Sequence, residues 1–540
     1  MAASWFTGEA MTEPTVASGR AALEALPEFR NEPWADFSIE ANRRAMTEAL
    51  AAVRTQLGRE YELLIAGRRR KADRQFSSIN PSRPSEIVGV HQRADEKLAV
   101  EAIEAATAFF PVWRKVPAKT RVAMLLRAAE LLRRRKFEFE AWEVFEAGKT
   151  WPEADADVCE AIDFCEYYAR QMLRFAGPIP VPQFPGERDE LRYIPLGAGL
   201  IIPPWNFPLA ILVGMTTSAL VAGNTVVLKP SSDTPTIGAL FVELLVEAGF
   251  PPEAIQFVTG SGAEVGDRLV LHPKTRFISF TGSKEVGLRI NELAARPQPG
   301  QIWIKRVVAE MGGKDAIIVD AEADLEAALQ GVLVSAYGFQ GQKCSACSRA
   351  IVDQTIYEEF LERFIPKVRA ITVGPAEDPD NFMGPVINER AMQSILAYIE
   401  IGKQEGRLLV GGGRAPGEGY FLEPTVFADV SPRARIFQEE IFGPVLAVTP
   451  ARDFDHALEL ANDSEYGLTG SVYSRNREKL ARAAEEFHVG NLYFNRKCTG
   501  AMVGSHPFGG FNMSGTDSKA GGPDYLLQFL QAKSIGEKLT

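Results

Sequence analysis

Short apolar runs alternate with helical stretches between residues 198 and 281, and this alternation constrains the fold more than any other feature. The runs predicted to be strands are 199–202, 225–229, 255–259 and 277–280. The segments between them that are predicted to be helices are 209–222, 236–248 and 263–271. Strand–helix–strand units at this spacing form parallel sheets with right-handed crossovers. A second alternating series runs from about Val307 to residue 500, so we expect an α/β chain with two sheet-containing domains.

The longest uncharged stretch, 193–228, has 36 residues, which is long enough to span a bilayer. Its first half is broken by four prolines, Pro195, Pro203, Pro204 and Pro208. Only 209–221 has a helical pattern, and that segment is too short to cross. We therefore expect a buried strand, a turn and a buried helix, as α/β cores require, and no association with a membrane.

The charge balance argues against a nucleic-acid-binding protein. Lys and Arg total 59 against 70 Asp and Glu, a net charge of −11, whereas nucleic-acid binders have a basic surface. The basic run 133–136 lies beside an apolar helix face, formed by Leu125, Leu126, Ala129, Leu131 and Leu132. We interpret the run as the solvated side of that helix.

Five cysteines and five histidines are scattered over 540 residues, which argues against a disulfide framework and against a metal site. A reducing compartment fits this cysteine usage. The first twenty residues hold two glutamates and one arginine, unlike a transit segment, so a cytoplasmic location is expected.

Four further segments have their own patterns. Residues 1–45 are predicted to be an irregular arm with short helices, and 95–175 to be mostly helical. The proline-rich stretch 179–197 is predicted to be an extended excursion, with a hairpin as one form. The last twenty residues, including 525–530, are predicted to form a terminal strand, whose exposed edge invites pairing with another subunit.

Two glycine clusters follow predicted strands. They are GSG at 260–262 with Gly266, and GSKEVG at 282–287. A strand, a tight glycine turn and a helix start present backbone N–H groups to a phosphate. Neither cluster has the full dinucleotide fingerprint, and for each cluster taken alone an ordinary strand-to-helix turn is the favoured explanation.

The chemically reactive candidates lie elsewhere. Cys344 is surrounded by small residues that leave room for a substrate. Its C-x-x-C spacing with Cys347 lies in the middle of a large chain and lacks a second pair, which disfavours a redox or zinc site. Asn206 is a lone carboxamide among apolar residues, and Glu310 precedes two glycines, where a buried carboxylate can act as a base.

Six segments together resemble the aldehyde dehydrogenase family, in the family's order and over nearly the whole chain. They are IPPWNFP at 202–208, KPS at 229–231, FTGS at 280–283, EMGGK at 310–314, GQKC at 341–344 and EEIFGP at 439–444. Within the family, the chain most resembles the branch that oxidises glutamate γ-semialdehyde. The matching segments are CSACSR at 344–349, TGAMVG at 499–504, PFGG at 507–510 and SGTD at 514–517.

The resemblance implies four parts. We expect an N-terminal arm over 1–45, a Rossmann-like NAD-binding domain over 46–178 and 198–309, and an α/β catalytic domain over 310–507. A small β-hairpin flap for oligomerisation, with a C-terminal strand, is expected over 179–197 and 508–540. The flap implies a homo-oligomer, a dimer at least.

The resemblance also implies a covalent mechanism. Cys344 would attack the aldehyde, Asn206 and the Cys344 N–H would hold the oxyanion, and Glu310 would activate water. Glu310 argues against transfer of the acyl group to coenzyme A, and retention of all three residues argues against a silent scaffold. Another acid semialdehyde or an aliphatic aldehyde stays open as the substrate.

NAD is the implied cofactor. Lys229 would contact the adenosine ribose, Ser283 the pyrophosphate and Glu440 the nicotinamide ribose, while Phe442 would back the ring. The other implied cofactor contacts are Ile202, Pro203, Pro204, Trp205, Ser231, Ser232, Gly262, Gly266, Phe280, Thr281, Gly282 and Gly312. Many NAD-selective relatives have glutamate where this chain has Ser232, so we expect NAD to be preferred and NADP to be tolerated.

The substrate is implied to be a small amino-acid aldehyde. Gly500, Ala501 and Ser345 would hold its α-carboxylate through hydrogen-bond donors. Phe207 and Phe508 would enclose its aliphatic part. Glu160 is the candidate for the amino group, although a surface glutamate on a helix explains it almost as well.

Overall fold

The first of two large sheets has seven strands, in a computed structural model that describes residues 26–539. Its order is β11-β10-β7-β8-β9-β2-β3, and the five strands from β11 to β9 are parallel. These five are β7 (Ala198–Ile202), β8 (Thr225–Leu228), β9 (Ile255–Phe257), β10 (Phe277–Thr281) and β11 (Arg306–Glu310). Two antiparallel strands, β2 (Leu63–Ile65) and β3 (Arg68–Arg70), complete the sheet. The predicted parallel sheet is confirmed, with strand ends within two residues of the prediction.

Both faces of this sheet are buried at β7, β8, β9 and β10, which explains why these four strands are mostly apolar. Ile201 and Val226 pack into one core, whereas their neighbours Leu200 and Val227 pack into another. The helices around the sheet are α1 (Glu40–Arg54), α2 (Glu96–Trp113), α3 (Ala118–Arg134), α4 (Lys136–Ala147), α5 (Trp151–Arg174), α6 (Ala210–Val221), α7 (Pro235–Glu247), α8 (Asp267–Leu271) and α9 (Lys284–Ala294). The helix predicted over 263–271 is shorter, because Gly262–Gly266 forms a π-helical turn.

The second sheet also has seven strands, in the order β14-β15-β16-β13-β12-β18-β19. They are β12 (Asp315–Val319), β13 (Cys347–Asp353), β14 (Arg407–Val410), β15 (Thr425–Ala428), β16 (Val445–Ala451), β18 (Thr469–Tyr473) and β19 (Asn491–Phe494). Its helices are α10 (Leu325–Tyr337), α11 (Tyr357–Arg369), α12 (Glu389–Glu405), α13 (Arg435–Gln438), α14 (Phe454–Asn462) and α15 (Arg477–Glu486). Ile318 and Ile317 pack into different cores, so this sheet too is buried on both faces. The prediction of a second α/β sheet is confirmed.

Three small sheets complete the described structure. β1 (Arg59–Tyr61), β4 (Arg74–Asn80) and β5 (Arg83–Arg93) form one, and β17 (Tyr466–Gly467) pairs with β20 (Phe511–Asn512). The third is a ribbon of β6 (Glu187–Pro195) and β21 (Leu530–Lys538).

The ribbon differs from the prediction in its pairing. β6 has one isolated bridge to Ile179, and its nine-residue antiparallel partner is the C-terminal strand rather than a neighbouring segment. The terminal strand predicted within the last twenty residues is confirmed over Leu530–Lys538 and is wrong over Tyr525–Phe529, which is a 3-10 helix. The predicted N-terminal arm lies outside the described residues up to position 25, and 26–39 contain no helix. The division into domains remains a prediction.

The uncharged stretch is buried as expected, with α6 lying inside the core. Across residues 26–539 no helix combines the length and the apolar character needed to cross a membrane. The basic run 133–136 is neutralised within the chain, since Arg133 pairs with Glu32 and Lys136 pairs with Asp155 at 2.6 Å.

Candidate active site

The predicted cofactor residues lie at one edge of the first sheet. Ile202 ends β7, Lys229 follows β8, Gly262 follows β9 and Gly282 follows β10. These strands are parallel neighbours, so their carboxyl ends lie side by side. Ligands of open α/β sheets bind in the crevice outside those ends.

The loop after β8 is held close to the next turn. Ser232 Oγ donates to the carbonyl of Gly260 at 3.3 Å, and Ser231 Oγ accepts from the Asp233 amide. Lys229 is buried, and its Nζ donates to the carbonyl of Pro230 at 3.2 Å. Burial lowers the pKa of Lys229 to about 8. A buried ammonium with one acceptor retains two N–H groups for a ligand.

The two glycine turns are built differently. After β10, the side chain of Ser283 accepts from the Val286 amide and so caps the N-terminus of α9. The turn containing Gly262 and Gly266 is capped by Ser261. Of the two, only the turn capped by Ser283 opens a regular α-helix directly. This turn is therefore the better candidate for binding a phosphate.

The two glycines after β11 allow two close approaches. A Cβ on Gly312 would lie 2.2 Å from Glu440 Oε2, and a Cβ on Gly313 would lie 2.3 Å from the carbonyl oxygen of Cys344. The Gly313 amide donates to Glu440 Oε1 at 2.9 Å. Burial raises the pKa of Glu440 to about 7. Nearby Phe442 has a positive φ of 58°. The centroid of its ring lies 5.5 Å from the centroid of the Trp205 ring.

A cavity of about 110 Å³ brings the catalytic and substrate candidates together. The predicted residues that line it are Glu160, Phe207, Thr281, Glu310, Cys344, Ser345, Gly500, Ala501 and Phe508. They come from segments up to 348 residues apart in the chain. Eight of the nine, all but the cofactor candidate Thr281, were expected to act on one aldehyde.

Cys344 lies after a tight turn at the end of α10. Two residues of that turn, Phe339 and Gln340, have left-handed φ values of 48° and 59°. Gln340 is fixed there because its side-chain amide donates to the Pro385 carbonyl at 2.7 Å. Burial, with Asp315 next, raises the pKa of the Cys344 thiol, so in this state the thiol is protonated.

Glu310 ends β11 and faces the same cavity. Its Oε1 accepts from the Ser518 hydroxyl at 2.6 Å, and its Oε2 accepts from the Gly510 amide at 3.2 Å. Burial raises the pKa of Glu310 to about 7, and these hydrogen bonds oppose the rise. A carboxylate that titrates near neutral pH suits a general base.

Asn206 lies beside this cavity rather than in its lining. It is buried, and its Nδ2 donates to the carbonyl of Gln342 at 3.0 Å, two residues before Cys344. An amide nitrogen has two protons, so one donor remains for an oxyanion.

The substrate end is formed by a helix and a loop. Glu160 is on α5, and burial raises its pKa to about 8, with Asp157 adding to the effect. Opposite lies the loop of Gly500 and Ala501, where Arg496 donates to the Gly500 carbonyl at 2.8 Å.

The sequence interpretation missed an aromatic wall of the cavity. Phe164 and Tyr168 follow Glu160 at four-residue intervals on α5, and Tyr525 stacks on Tyr168 at 5.4 Å. Residues at i, i+4 and i+8 share one helix face, so this spacing could have identified the two α5 rings. The other missed lining residues are Ile211, Gly214, Met215, Met311 and Ala520.

Comparison with known proteins agrees with this arrangement. The aldehyde dehydrogenase family model matches residues 68–535. A 1-pyrroline-5-carboxylate dehydrogenase from Geobacillus thermodenitrificans is 57% identical over 509 residues, which cover 94% of this chain and 99% of the relative.

Solved structures give the same result. The 1-pyrroline-5-carboxylate dehydrogenase from Thermus with bound NAD superposes with a TM-score of 0.94 at 54% identity, covering 95% of this chain and 100% of that one. A betaine aldehyde dehydrogenase from Staphylococcus aureus, in complex with NAD⁺, superposes at 0.85 with 30% identity, covering 91% and 96%. This chain therefore belongs to the aldehyde dehydrogenase family.

Proposed function

We propose that the chain is an NAD-dependent dehydrogenase that oxidises L-glutamate γ-semialdehyde, the open form of 1-pyrroline-5-carboxylate, to L-glutamate in proline catabolism. The observation that carries the proposal is one cavity where the Cys344 thiol, the Glu310 carboxylate and the Gly500–Ala501 loop meet. Relatives that are 54–57% identical over nearly the whole chain are 1-pyrroline-5-carboxylate dehydrogenases, which supports the substrate.

The first step joins the Cys344 sulfur to the aldehyde carbon. The thiol proton is lost to solvent as the sulfur attacks, so Glu310 stays ionised for the later hydrolysis step. The resulting oxyanion receives hydrogen bonds from the free N–H of the Asn206 side chain and from the Cys344 amide. Losing one such donor typically costs about 2.7–4 kcal/mol of transition-state stabilisation.

The second step hydrolyses a thioester. When bound, NAD supplies the acceptor for the hydride that leaves the tetrahedral carbon. Glu310 then takes a proton from a water molecule as the water oxygen attacks the thioester carbon. The C–S bond breaks, Cys344 is released and the product leaves as a carboxylate.

The residues present fit a dinucleotide. The buried Lys229 ammonium has donors to spare for a ribose, and the Ser283-capped end of α9 suits a pyrophosphate. Gly312 lets the backbone approach Glu440 so closely that any side chain would clash with it. Glu440 keeps Oε2 available for a ribose hydroxyl, because the Gly313 amide uses Oε1.

Substrate selection follows from charge and shape. Backbone N–H groups at Gly500 and Ala501, with the Ser345 hydroxyl, would hold the α-carboxylate. Glu160 would hold the α-ammonium, and that positive charge would restore the ionised form of a carboxyl whose pKa burial raises to about 8. Ser345→Ala should weaken substrate binding more than NAD binding, and equal effects would count against this assignment.

A substrate panel tests the function. Purified enzyme is given glutamate γ-semialdehyde at equilibrium with pyrroline-5-carboxylate, and separately succinic semialdehyde and acetaldehyde, while NADH absorbance is followed. We expect the first substrate to give by far the highest kcat/KM. A preference for either of the other aldehydes would overturn the proposal.

We expect NAD to be preferred over NADP, with NADP tolerated. Ser232 is exposed and neutral, so nothing at that position repels a 2′-phosphate. Comparing kcat/KM for the two cofactors tests this, and an NADP preference of a thousandfold or more would refute it.

We also propose that the chain forms a homo-oligomer through the β6–β21 ribbon. Within residues 26–539, the outer edge of β21 has no strand partner. Unpaired edges favour pairing with another chain. Light scattering on the purified protein should give a dimer or larger, and a monomer would refute the proposal.

A cytoplasmic location completes the proposal. All five cysteines are free thiols, as a reducing compartment requires. Fractionation of the source cells should recover the enzyme in the cytoplasm rather than in an exported fraction.

A further inference from the structure

The loop from Phe508 to Ser518 wraps around the carboxylate of Glu310. A Cβ on Gly509 would lie 3.1 Å from Oε1, and a Cβ on Gly515 would lie 3.0 Å from Oε2. Gly515 also forms an isolated antiparallel bridge with Glu310. A side chain at either position would press on the carboxylate, so the loop is shaped closely around Glu310.

Ser518 supplies the shortest of the hydrogen bonds that this loop makes to Glu310. Its hydroxyl donates to Glu310 Oε1 at 2.6 Å, which is the range of a charge-assisted O–H···O⁻ bond. Its amide also donates to Oε1, at 3.3 Å. The side chain is 3% exposed, so water does not compete with it. The residues on either side, Asp517 and Lys519, have positive φ values of 51° and 52°, an uncommon backbone conformation that places Ser518 between them.

We propose that Ser518 is a positioning residue for the general base: its hydroxyl holds Glu310 in the cavity and favours the ionised carboxylate. The inference rests on the proposed function, since it concerns the water-activating step. A hydrogen bond to the charged form stabilises that form and so lowers proton affinity. Without the hydroxyl, Glu310 would keep its proton to higher pH and would be free to turn away from the thioester.

The neighbouring titratable groups do not replace the Ser518 hydroxyl in holding Glu310 and favouring its ionised form. The titratable groups that face Glu310 are Glu160, Cys344, Lys519 and Tyr525. Lys519 favours the carboxylate, but its Nζ donates to the Gly490 and Gly509 carbonyls and pairs with Asp517. Cys344 and Tyr525 are neutral, because burial raises both pKa values.

The test is the pH profile of kcat for Ser518→Ala. A charged hydrogen bond is worth roughly one pKa unit or more, so we expect the acid limb to move up from about pH 7 by about one unit. The rate would fall about eightfold at pH 6.5 and change little at pH 9. A pre-steady-state burst of NADH should appear at pH 6.5, because thioester hydrolysis becomes limiting. The Kd for NAD should not change.

Two control variants distinguish positioning of Glu310 by the hydroxyl from general stabilisation of the loop. Ser514→Ala removes another buried hydroxyl of the same loop, one that accepts from the Gly467 amide rather than contacting Glu310, and it should leave the acid limb in place. Ser518→Thr should restore the wild-type limb. If Ser518→Ala does not fold, Ser518→Gly removes the same hydroxyl and decides the question.

An unshifted acid limb in a folded, hydroxyl-free variant would overturn the inference, as would a loss of rate that is equal at all pH values. Failure of the proposed function is distinguishable, because the wild-type enzyme itself would then not oxidise glutamate γ-semialdehyde.

Discussion

Lys149→Met should destabilise the protein by breaking a wholly buried ion pair next to the active site. Lys149 Nζ lies 2.9 Å from Asp157 Oδ2, and both side chains are 0% exposed. The ammonium also lies over the rings of Phe207 and Phe339, at 4.2 and 4.5 Å. Burial lowers the pKa of Lys149, but nearby carboxylates, Asp157 foremost, outweigh it and hold the lysine charged.

The expected cost comes from the charge left behind. Burial raises the pKa of Glu143 well above its usual value, and Asp157 adds to the rise, so Glu143 carries a proton while Asp157 balances Lys149. Without the ammonium, Asp157 keeps the Ala210 amide, 2.6 Å from Oδ1, as its neutral donor. Removing one member of a buried pair typically costs about 3–5 kcal/mol. Methionine fills most of the lysine volume, so a cavity adds little.

Urea unfolding at pH 7 measures the change, in a double-mutant cycle with Asp157→Asn. Asparagine keeps an oxygen for the Ala210 amide but has no charge. The double variant Lys149→Met/Asp157→Asn should therefore be more stable than Lys149→Met alone, by at least about 1 kcal/mol. Equal stability of the two, or a loss below about 1 kcal/mol in Lys149→Met, would refute the argument that an orphaned carboxylate is the cause.

Five further outcomes follow from the site. Cys344→Ala should abolish turnover and leave NAD binding intact by calorimetry. Asn206→Ala should lower kcat by about 10²–10³ with a smaller effect on KM, in steady-state assays. Glu310→Gln should release about one equivalent of NADH and then stall. In the wild-type enzyme kcat should fall as pH drops below about 7, because Glu310 is then protonated. Gly312→Ala should weaken NAD binding, measured by fluorescence, because its Cβ would meet Glu440 Oε2.

The first sheet could be predicted because local signals agree there. Its strands are short apolar runs closed by Gly, Pro or Lys, and the helices between them are long enough to cross over. The strand prediction was wrong over 525–529 because it used the apolar composition of the segment and ignored the periodicity of its apolar residues. Tyr525, Leu526 and Phe529 are all buried, and their i, i+1, i+4 spacing is helical, whereas a strand would place Tyr525 and Leu526 on opposite faces.

The pairing of β6 with β21 could not be derived from local pattern. Pro195 pairs with Leu530, which lies 335 residues further along the chain. Both strands are mixtures of charged and apolar residues, so neither identifies its partner. The contact between Ser518 and Glu310 was missed for the same reason, since loop conformation over 508–518 decides which of its two serines, Ser514 or Ser518, reaches the carboxylate.

The formal net charge of −11 counts every carboxylate as ionised, although several of them are buried. Glu140 and Glu143 on α4 and Asp157 on α5 are all 0% exposed, although acidic residues on helices normally face water. Burial, with a neighbouring aspartate, raises the pKa of Glu140 to about 9, so a count that ionises every carboxylate overstates the charge at pH 7. Asp157 is tolerated because both of its oxygens have partners: one pairs with Lys149 and the other accepts from the first amide of α6. That amide lies four residues beyond Asn206, so the buried charge network and the proposed oxyanion donor are connected through one short turn of backbone.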